Sequence, residues 1–389
     1  MKLILYFADG FSWQYIEDRP FMEQFWRDRR PLRTLVGYSS TIIPSILTGR
    51  YPQDTGMWTE YYLEPRERSA LQRLLTRPRL RWTLFPANLL RLVWFRIARR
   101  TGMGAEHRLR LPLELSHLFS RHPIKYDQFP PIGLPVRSMA DLFAERGLSV
   151  DFRYVTGELD PAAELDHLRR HSAEHDVFFY YDPSLDGMGH HVGASAEALS
   201  EPIERISSFL EAAAASLERG GPTHVLLFSD HGMTTVRSTF DLLGHLTDFE
   251  LGKDYIAFID STLARFWFPD EQRRSNILAR LADVPGTVLS EQQRQNYGIA
   301  FSDRRYGQDV LVADEGVVLH PNYFAGPFLR FARRYPEKAM HGYLPEAPSS
   351  RGIFFHRGGP LAAPLPDPFS ATDIFAVVEE LTAPPQDGG

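Results

Sequence analysis

The chain of 389 residues contains no cysteine. This excludes disulfide bonds and thiolate metal ligands, so a bound zinc ion would need His, Asp and Glu as its ligands. Long apolar runs are also missing. No stretch reaches the roughly 18 residues that a membrane-spanning helix needs, and the apolar run before Asp9 is too short for the core of a signal peptide. We therefore expect a cytoplasmic protein.

Positive charge is concentrated in one segment. Residues 66–110 contain twelve arginines, no lysine and two acids, which gives this segment +10. Because the whole chain carries −6, the remainder carries −16. The segment is either a solvated surface insertion or a basic surface that attracts an anionic substrate or an anionic membrane. The second alternative would place the protein at the inner face of a membrane.

Within this segment, the pattern predicts an amphipathic helix. One side of a helical projection collects apolar residues and the other collects arginines: Leu89, Leu90, Val93, Trp94 and Ile97, against Arg91, Arg96, Arg99 and Arg100. Such a helix either lies on an anionic bilayer or packs on the core while its arginines extend over the surface. We predict a basic, largely helical insertion over residues 63–125.

The rest of the chain alternates between strands and helices. Residues 2–7, Val177–Tyr181 and His224–Phe228 are apolar runs of strand length, and residues 196–219 have helical periodicity. This alternation predicts an α/β fold, with a mostly parallel central sheet and helices on both faces. We expect a single catalytic domain over residues 1–389. Residues 250–330 are expected to form a small α+β lid, with strands at Tyr255–Ile259 and Ala264–Phe268 and a helix over 270–283.

Carboxylates follow the ends of the predicted strands. Asp9 follows the first, Asp182 and Asp186 the second, and Asp230 the third. Because ligands of parallel sheets bind beyond the carboxyl ends of the strands, these residues indicate a metal site at one edge. The adjacent His190 and His231 supply the nitrogen ligands that a chain without cysteine requires.

A serine-rich turn leads into a short apolar helix that ends at Thr48-Gly49. Ser39, at the start of this helix, is either an ordinary N-cap or a nucleophile held by free backbone N–H groups. Another histidine, His341, stands alone between Met340 and Gly342. Taken by itself, His341 is more typical of a structural residue than of a ligand.

In combination, these motifs resemble the alkaline phosphatase superfamily, in particular its type I phosphodiesterase/nucleotide pyrophosphatase branch. The most specific ones are Thr48-Gly49-x-Tyr51-Pro52, Asp186-x-x-Gly189-His190 and Ser229-Asp230-His231-Gly232. The resemblance extends from Asp9 to His341 and on to residues 351–359. It implies the fold predicted above and a metal-dependent phosphoric ester hydrolase.

The resemblance also implies the roles of single residues. The family's nucleophile lies nine residues before the threonine of the Thr-Gly pair, which gives Ser39, with Ser40 as its competitor. It implies two Zn²⁺ ions, or other divalent ions such as Mn²⁺, with Ser39 Oγ between them. Their ligands would be two groups of three: Asp186, His190 and His341, and Asp9, Asp230 and His231. Zinc would then activate the serine for attack on phosphorus, and a phosphoserine would follow.

The chain departs from the family pattern around the expected phosphate site. Glu60, preceded by Thr59, stands where the branch usually has an asparagine that binds a phosphate oxygen. A carboxylate there is unfavourable unless it is protonated, metal-bound or paired with a substrate cation. We predict Ser40, Thr59 and Glu60 as substrate-binding residues. Thr41 and Ile43 do not fit the sequence that a formylglycine sulfatase requires, which argues against that class.

Three functions stay open on the sequence. The first is a hydrolase of phosphodiester or pyrophosphate bonds. The second is a phosphomonoesterase or phosphotransferase on the same two-zinc site, and the third is a non-catalytic protein that binds anionic surfaces. The expected partner is a small or lipid-linked phosphate ester, with peripheral contact to an anionic membrane as an alternative and with no nucleic acid. Of the neighbouring candidates, His191 is assigned to the surface or to a contact with a ligand, and Asp182 to a loop or to a contact with a ligand. His224 is assigned a structural role.

Overall fold

The computed structural model describes residues 1–67, 115, 117–122, 134–323 and 337–384. The strands of this part are β1 (Lys2–Ala8), β2 (Asp28–Arg33), β3 (Tyr61–Leu63), β4 (Phe119–Arg121), β5 (Val150–Tyr154), β6 (Val177–Asp182), β7 (Thr223–Phe228), β8 (Thr234–Thr235), β9 (Ser238–Asp241), β10 (Ile256–Asp260), β11 (Leu263–Trp267), β12 (Gly286–Val288), β13 (Asp309–Ala313), β14 (Val317–His320), β15 (Ala339–Met340), β16 (Gly352–Arg357) and β17 (Phe369–Ser370).

The α-helices of the same residues are α1 (Ser39–Thr48), α2 (Pro52–Thr55), α3 (Met139–Glu145), α4 (Pro161–His171), α5 (Ser184–Val192), α6 (Ser200–Leu217), α7 (Leu242–His245), α8 (Glu271–Leu281), α9 (Glu291–Asn296) and α10 (Asp373–Leu381). Short 3-10 helices lie at Trp13–Tyr15, Glu218–Gly220 and Pro348–Ser350. Most of the insertion predicted over residues 63–125, including its amphipathic helix, falls outside the described residues.

The central sheet has seven strands in the order β17-β2-β16-β7-β1-β6-β5. β5, β6, β1 and β7 run parallel to one another, while β16 is antiparallel to both of its neighbours. The pairing of β1 with β6 runs in register from Leu3 with Val177 to Ala8 with Asp182. The predicted α/β fold with a mostly parallel central sheet is therefore confirmed.

β1 contributes side chains to both faces of the sheet. Ile4 and Tyr6 pack in a core with α6, while Leu5 and Phe7 pack in a second core with α1 and α10. Alternate side chains of a strand point to opposite faces, so a strand covered on both sides must be apolar throughout. This explains the continuous apolar run at the start of the chain. It also fixes the strand's carboxyl end, and hence Asp9, at the edge of the sheet.

A second sheet, in the order β10-β11-β13-β12, is antiparallel and packs with α8. β10, β11 and α8 lie within two residues of the two strands and the helix predicted between 250 and 330. A fully buried ion pair, Arg265 Nη2 to Asp260 Oδ2 at 3.1 Å, lies at the end of β10. The role of this subdomain as a lid stays a prediction.

Among the helices of the described residues, none combines the length and the apolar character that crossing a bilayer would require.

Candidate active site

Five segments meet at the carboxyl edge of the central sheet. Their residues lie on or shortly after regular elements: Asp9 after β1, Ser39 at the start of α1, Asp186 and His190 on α5, Asp230 and His231 after β7, and His341 after β15. The structure therefore brings the predicted nucleophile and all six predicted metal ligands together, although they span 333 positions of the chain.

Gly10 makes the close approach of two of these segments feasible. Its φ of +72° is in the left-handed region, and a Cβ atom there would lie 2.9 Å from the backbone Cα of Asp186. In addition, the Asp186 N–H donates to the Asp9 carbonyl at 3.0 Å. A residue with a side chain would be strained and would also push α5 away from the strand end. Gly10 thus holds Asp9 and Asp186 close together.

Asp9, Asp230 and His231 form a buried cluster around the Ser39 hydroxyl. His231 Nε2 lies 3.5 Å from Asp9 Oδ1 and 3.2 Å from Asp230 Oδ2. Ser39 Oγ lies 3.1 Å from His231 Nε2 and 3.3 Å from Asp9 Oδ1. The oxygen of the predicted nucleophile is therefore in contact with two of the predicted ligands. Ser40 is the next residue of α1 and also faces the pocket described below.

Asp186 joins the remaining two histidines. Asp186 Oδ1 lies 3.4 Å from His190 Nε2 and 3.4 Å from His341 Nε2. The two clusters touch, because the rings of His231 and His341 stack with centroids 3.7 Å apart and planes 9° from parallel. Ligand atoms of Asp186, His231 and His341 lie within 4.8 Å of one another, as do those of Asp9, Asp230 and His231.

The imidazoles are oriented through their second nitrogen. His190 Nδ1 donates to the Ala339 carbonyl at 3.0 Å, and His231 Nδ1 donates to the Gly232 carbonyl at 2.9 Å. Each ring therefore turns Nε2 towards the carboxylates. Hydrogen bonds of this kind fix the tautomer and the orientation of metal-binding histidines.

Three carboxylates in this buried space repel one another. Burial, together with the charges of Asp230 and Asp186, raises the pKa of Asp9 well above its usual value. Burial and the charge of Asp186 raise the pKa of Asp230 to about 7. Buried carboxylates remain charged at neutral pH when a cation compensates them. The site is therefore electrostatically suited to a divalent cation.

The donor atoms also fit a metal ion. Asp186 Oδ1, Asp230 Oδ2 and His341 Nδ1 are buried atoms that have no hydrogen-bond partner in the structure. Buried polar atoms are nearly always satisfied, and the two carboxylate oxygens, which lie 3.4 and 3.2 Å from the Nε2 atoms of His190 and His231, are placed to bind a cation. Carboxylate oxygens and imidazole nitrogens are the ligands that zinc prefers in the absence of thiolates. The donor atoms at this edge therefore fit metal binding, in two groups of three ligand residues that share His231.

Tyr181 is a member of the site that the sequence did not indicate. Its hydroxyl donates to Asp9 Oδ2 at 2.7 Å, and burial raises the pKa of this hydroxyl well above its usual value, so it remains a donor. Tyr181 belongs to the apolar run of β6, where an aromatic residue is expected in the core. Only its position beside the carboxyl end of β1 marks it as a partner of Asp9.

The turn between β10 and β11 contacts the site from the second sheet. The Tyr38 hydroxyl donates to the Asp260 carbonyl and accepts from the Thr262 N–H at 3.0 Å. Thr262 Oγ1 lies 3.0 Å from the carbonyls of His341 and Gly342. Because Tyr38 precedes Ser39 directly, this turn connects the start of the nucleophile's helix to a predicted ligand. No local sequence pattern indicates this role for Thr262.

A pocket of about 310 Å³ opens beside the candidate centre. It is lined by Tyr38, Ser39, Ser40, Glu60, His190, Ser261, Asn322, Glu337, Met340 and His341. Two of the three predicted substrate-binding residues, Ser40 and Glu60, thus line it. Thr59 is buried and donates to the Tyr61 carbonyl at 2.8 Å. Glu60 forms an ion pair with Arg121 of β4, which places a counter-charge from the chain itself beside this carboxylate.

The neighbouring candidates lie apart from these contacts. His191 is exposed. Asp182 accepts from the Tyr6 hydroxyl at 2.7 Å and from the Ser184 N–H at 2.9 Å. His224 stacks on His356 with ring centroids 5.4 Å apart. The exposed His191 and the stacked His224 agree with the surface and structural roles assigned from the sequence, whereas Asp182 is the fully buried last residue of β6 and not a loop residue.

This combination of a mostly parallel sheet and a carboxylate–histidine centre at its carboxyl edge is that of the alkaline phosphatase superfamily. The model of the type I phosphodiesterase/nucleotide pyrophosphatase family matches residues 3–344. The chain belongs to this family of phosphodiester and pyrophosphate hydrolases.

Solved structures of similar fold include human ectonucleotide pyrophosphatase/phosphodiesterase 5, with a TM-score of 0.62 and 14% sequence identity. The murine protein gives a TM-score of 0.61 and 15% identity, and an inactive murine variant in complex with AMP gives 0.60 and 15%. Each comparison covers 100% of this chain and 97% of the other. At these identities the likeness establishes the fold.

Proposed function

We propose that this chain is a zinc-dependent hydrolase that cleaves a phosphodiester or pyrophosphate bond through a phosphoserine on Ser39. The observation that carries the proposal is the position of Ser39 Oγ, 3.3 Å from Asp9 Oδ1 and 3.1 Å from His231 Nε2. This oxygen also lines the pocket at the N-terminus of α1. A substrate in the pocket can reach this hydroxyl. The buried carboxylates beside the hydroxyl need cations to compensate their charge.

In the proposed reaction, the Ser39 hydroxyl loses its proton to solvent as Oγ forms a bond to phosphorus, and the bond from phosphorus to the leaving oxygen breaks as that oxygen takes up a proton from solvent. Water then cleaves the phosphoserine and releases the phosphate product. Bound zinc would supply Lewis-acid stabilisation of the attacking and leaving oxygens. Asp186, His190 and His341 would hold one ion, and Asp9, Asp230 and His231 the other. Asp9 Oδ1 accepts the hydrogen of the Ser39 hydroxyl and fixes this oxygen at the pocket wall.

The substrate and the location are also proposals. A small or lipid-linked phosphate ester fits the pocket, and the AMP complex of the murine relative makes a nucleotide ester a natural first test. The arginine-rich segment lies outside the described residues, so its contact with an anionic membrane and the cytoplasmic location stay predictions. Sedimentation with anionic and neutral liposomes at low and high salt tests that contact. Loss of binding when Arg96, Arg99 and Arg100 become Ala would support it.

Two measurements test the proposal. Side-by-side assays of bis-p-nitrophenyl phosphate and p-nitrophenyl phosphate, followed by nucleotide-sugar and lipid-linked pyrophosphates, should show preference for the diester or pyrophosphate. Faster turnover of the monoester would favour the phosphomonoesterase alternative, and transfer to an added alcohol would favour the phosphotransferase. Chelators should abolish turnover, and zinc should restore it. Activity that survives complete metal removal would overturn the metal assignment.

The nucleophile is tested by a matched pair of serine variants. Ser39→Ala should abolish the phosphoenzyme trapped by acid quench and lower kcat by several orders of magnitude, with zinc still bound. Ser40→Ala should lose at most one hydrogen bond, or about 1 kcal/mol. The reverse ranking would move the nucleophile to Ser40.

A further inference from the structure

A second group of metal-binding side chains lies at the opposite edge of the central sheet. It consists of His171, the last residue of α4, and of Glu174 and His175 in the link to β6. β6 begins at Val177 and ends beside the candidate active site at Asp182. A six-residue strand spans about 17 Å, so the two groups are separate sites.

The backbone already arranges these three side chains on one face. The N–H groups of Glu174 and His175 donate to the His171 carbonyl at 3.0 and 3.2 Å, which continues the helical turn beyond α4. Residues three and four positions apart on such a turn are neighbours in space. His171 Nδ1 lies 3.1 Å from Glu174 Oε2, and one ligand atom from each of the three residues lies within 4.8 Å of the others.

Two further observations indicate that these side chains are arranged to bind a ligand. His175 Nδ1 is buried and has no hydrogen-bond partner in the structure. His167, one turn before His171, packs against its ring with centroids 4.5 Å apart and planes tilted by 38°. His167 is itself held by Asp151, with Nε2 to Oδ2 at 2.6 Å. His167, held by Asp151, therefore restricts the position of the His171 ring, as neighbouring groups do for metal-binding histidines.

The local charges are compatible with a cation. The C-terminus of a helix carries a partial negative charge, and α4 ends at His171. The nearest basic group of β1 is Lys2, whose Nζ donates to the His175 carbonyl at 2.5 Å and lies 3.6 Å from Asp176 Oδ1. Asp176 thereby compensates the charge of Lys2. The carboxylate of Glu174 adds a full negative charge beside the two imidazoles.

We propose that His171, Glu174 and His175 form a further transition-metal site, independent of the catalytic centre. Two imidazoles and one carboxylate suit zinc, nickel or copper rather than magnesium or calcium. Because Glu174 is exposed, water completes the coordination. A bound ion joins the end of α4 to the start of β6, and so stabilises the connection that precedes a central strand of the sheet. The site is structural, since it lies away from the pocket that contains Ser39.

The test compares metal content in the full-length protein and its variants. After equilibrium dialysis against micromolar zinc, elemental analysis should find one ion per chain fewer in His171→Gln and in His175→Gln than in the wild type. Glu174→Gln should bind this ion more weakly. The temperature of unfolding should rise with zinc in the wild type and rise less in the variants, because a ligand that binds only the folded state stabilises it.

The matched control is His245→Gln, since His245 is a partly buried histidine that bonds the Arg280 carbonyl outside any cluster. It should keep the full metal content. All four variants should keep wild-type hydrolysis of bis-p-nitrophenyl phosphate, which separates this site from the catalytic one. The difference of one ion does not depend on how many ions the catalytic edge binds. Equal metal content in the wild type and the His175→Gln variant, or zinc that binds only at millimolar concentration, would overturn the proposal.

Discussion

Replacing Tyr181 by Phe removes one oxygen from the wall of the candidate centre and preserves the ring. The lost hydroxyl is the donor to Asp9 Oδ2 at 2.7 Å. Tyr181 is 8% exposed, and its ring packs against Phe7 with centroids 5.0 Å apart, so Phe should fill the same space. The expected effect is therefore confined to Asp9, which loses the partner that orients its carboxylate.

The magnitude follows from the charge of the acceptor. A hydrogen bond to a charged group contributes about 1.5–3 kcal/mol, which corresponds to roughly a 10- to 150-fold change in an equilibrium constant. Loss of a hydrogen-bond partner of a metal ligand costs about 10- to 100-fold in affinity. The two ranges agree. Tyr181→Phe should therefore lower the affinity for the zinc ion that Asp9 would bind by one to two orders of magnitude. The temperature of unfolding of the metal-free protein should change little.

The assay is diesterase activity as a function of free zinc, set by a chelator buffer. The variant should need more free zinc for half-maximal activity and should recover most of its kcat at saturating zinc. The control is Tyr180→Phe, one residue earlier on the opposite face, whose buried hydroxyl has no hydrogen-bond partner in the structure. An unchanged zinc requirement in Tyr181→Phe, or an equal shift in both variants, would refute the assignment of Asp9 as a ligand supported by Tyr181.

Two further predictions concern the second sheet and its neighbours. Thr262→Val removes the hydroxyl that joins Tyr38 to the His341 carbonyl, so kcat should fall while KM stays nearly unchanged. Thr262→Ser keeps a hydroxyl and should restore kcat. Equal activity in the two variants would contradict a positioning role for Thr262. Burial lowers the pKa of His122 to about 4, so the unfolded chain binds a proton first as the pH falls below about 6.5. The free energy of unfolding should therefore decrease from about pH 6.5 to pH 4, and this pH dependence should be smaller in His122→Asn. An unchanged pH profile in the variant would contradict the assignment of the pH dependence to His122.

The sequence was most informative where a strand is covered on both faces. The apolar runs at 2–7, 177–181 and 224–228 predicted β1, β6 and β7 to within one residue, because such strands have no polar side to interrupt the pattern. β2 could not be predicted in this way. Its sequence, DRRPLR, is mostly polar and only half-buried, and its place in the sheet comes from its pairing with β16.

Asp9, Asp186 and Asp230 could be placed at the sheet edge because each follows a predicted strand, while the full ligand set, including His341, came from the resemblance to the family. The partners of these ligands could not be predicted. Tyr181 looks like a core aromatic residue until the register of β6 places it beside Asp9. Thr262 acts across 224 positions on Tyr38, and no local pattern predicts a contact over that distance. Residues that orient ligands are specified by tertiary packing, whereas the ligands themselves are specified by chemistry.

The ion pair between Glu60 and Arg121 offers the sharpest test of how the chain accommodates its unusual carboxylate. Glu60 lines the pocket that contains Ser39, and its side chain is 18% exposed. A carboxylate about 6 Å from a phosphate would cost roughly 3 kcal/mol at an effective dielectric constant of about 20. Arg121 offsets this repulsion in the structure. Arg121→Ala should therefore lower kcat/KM for an anionic diester by about 10- to 100-fold.

If that loss arises from the charge of Glu60, removing the charge should reverse it. Glu60→Gln alone should change kcat/KM little, and the double variant Glu60→Gln/Arg121→Ala should recover most of what Arg121→Ala loses. High salt should reduce the effect of Arg121→Ala, because exposed charges are screened while a packing defect is not. A double variant as impaired as Arg121→Ala would show that the two effects add, with no coupling between Glu60 and Arg121. Arg121 would then act on the substrate directly or through the β3–β4 pairing, independently of Glu60.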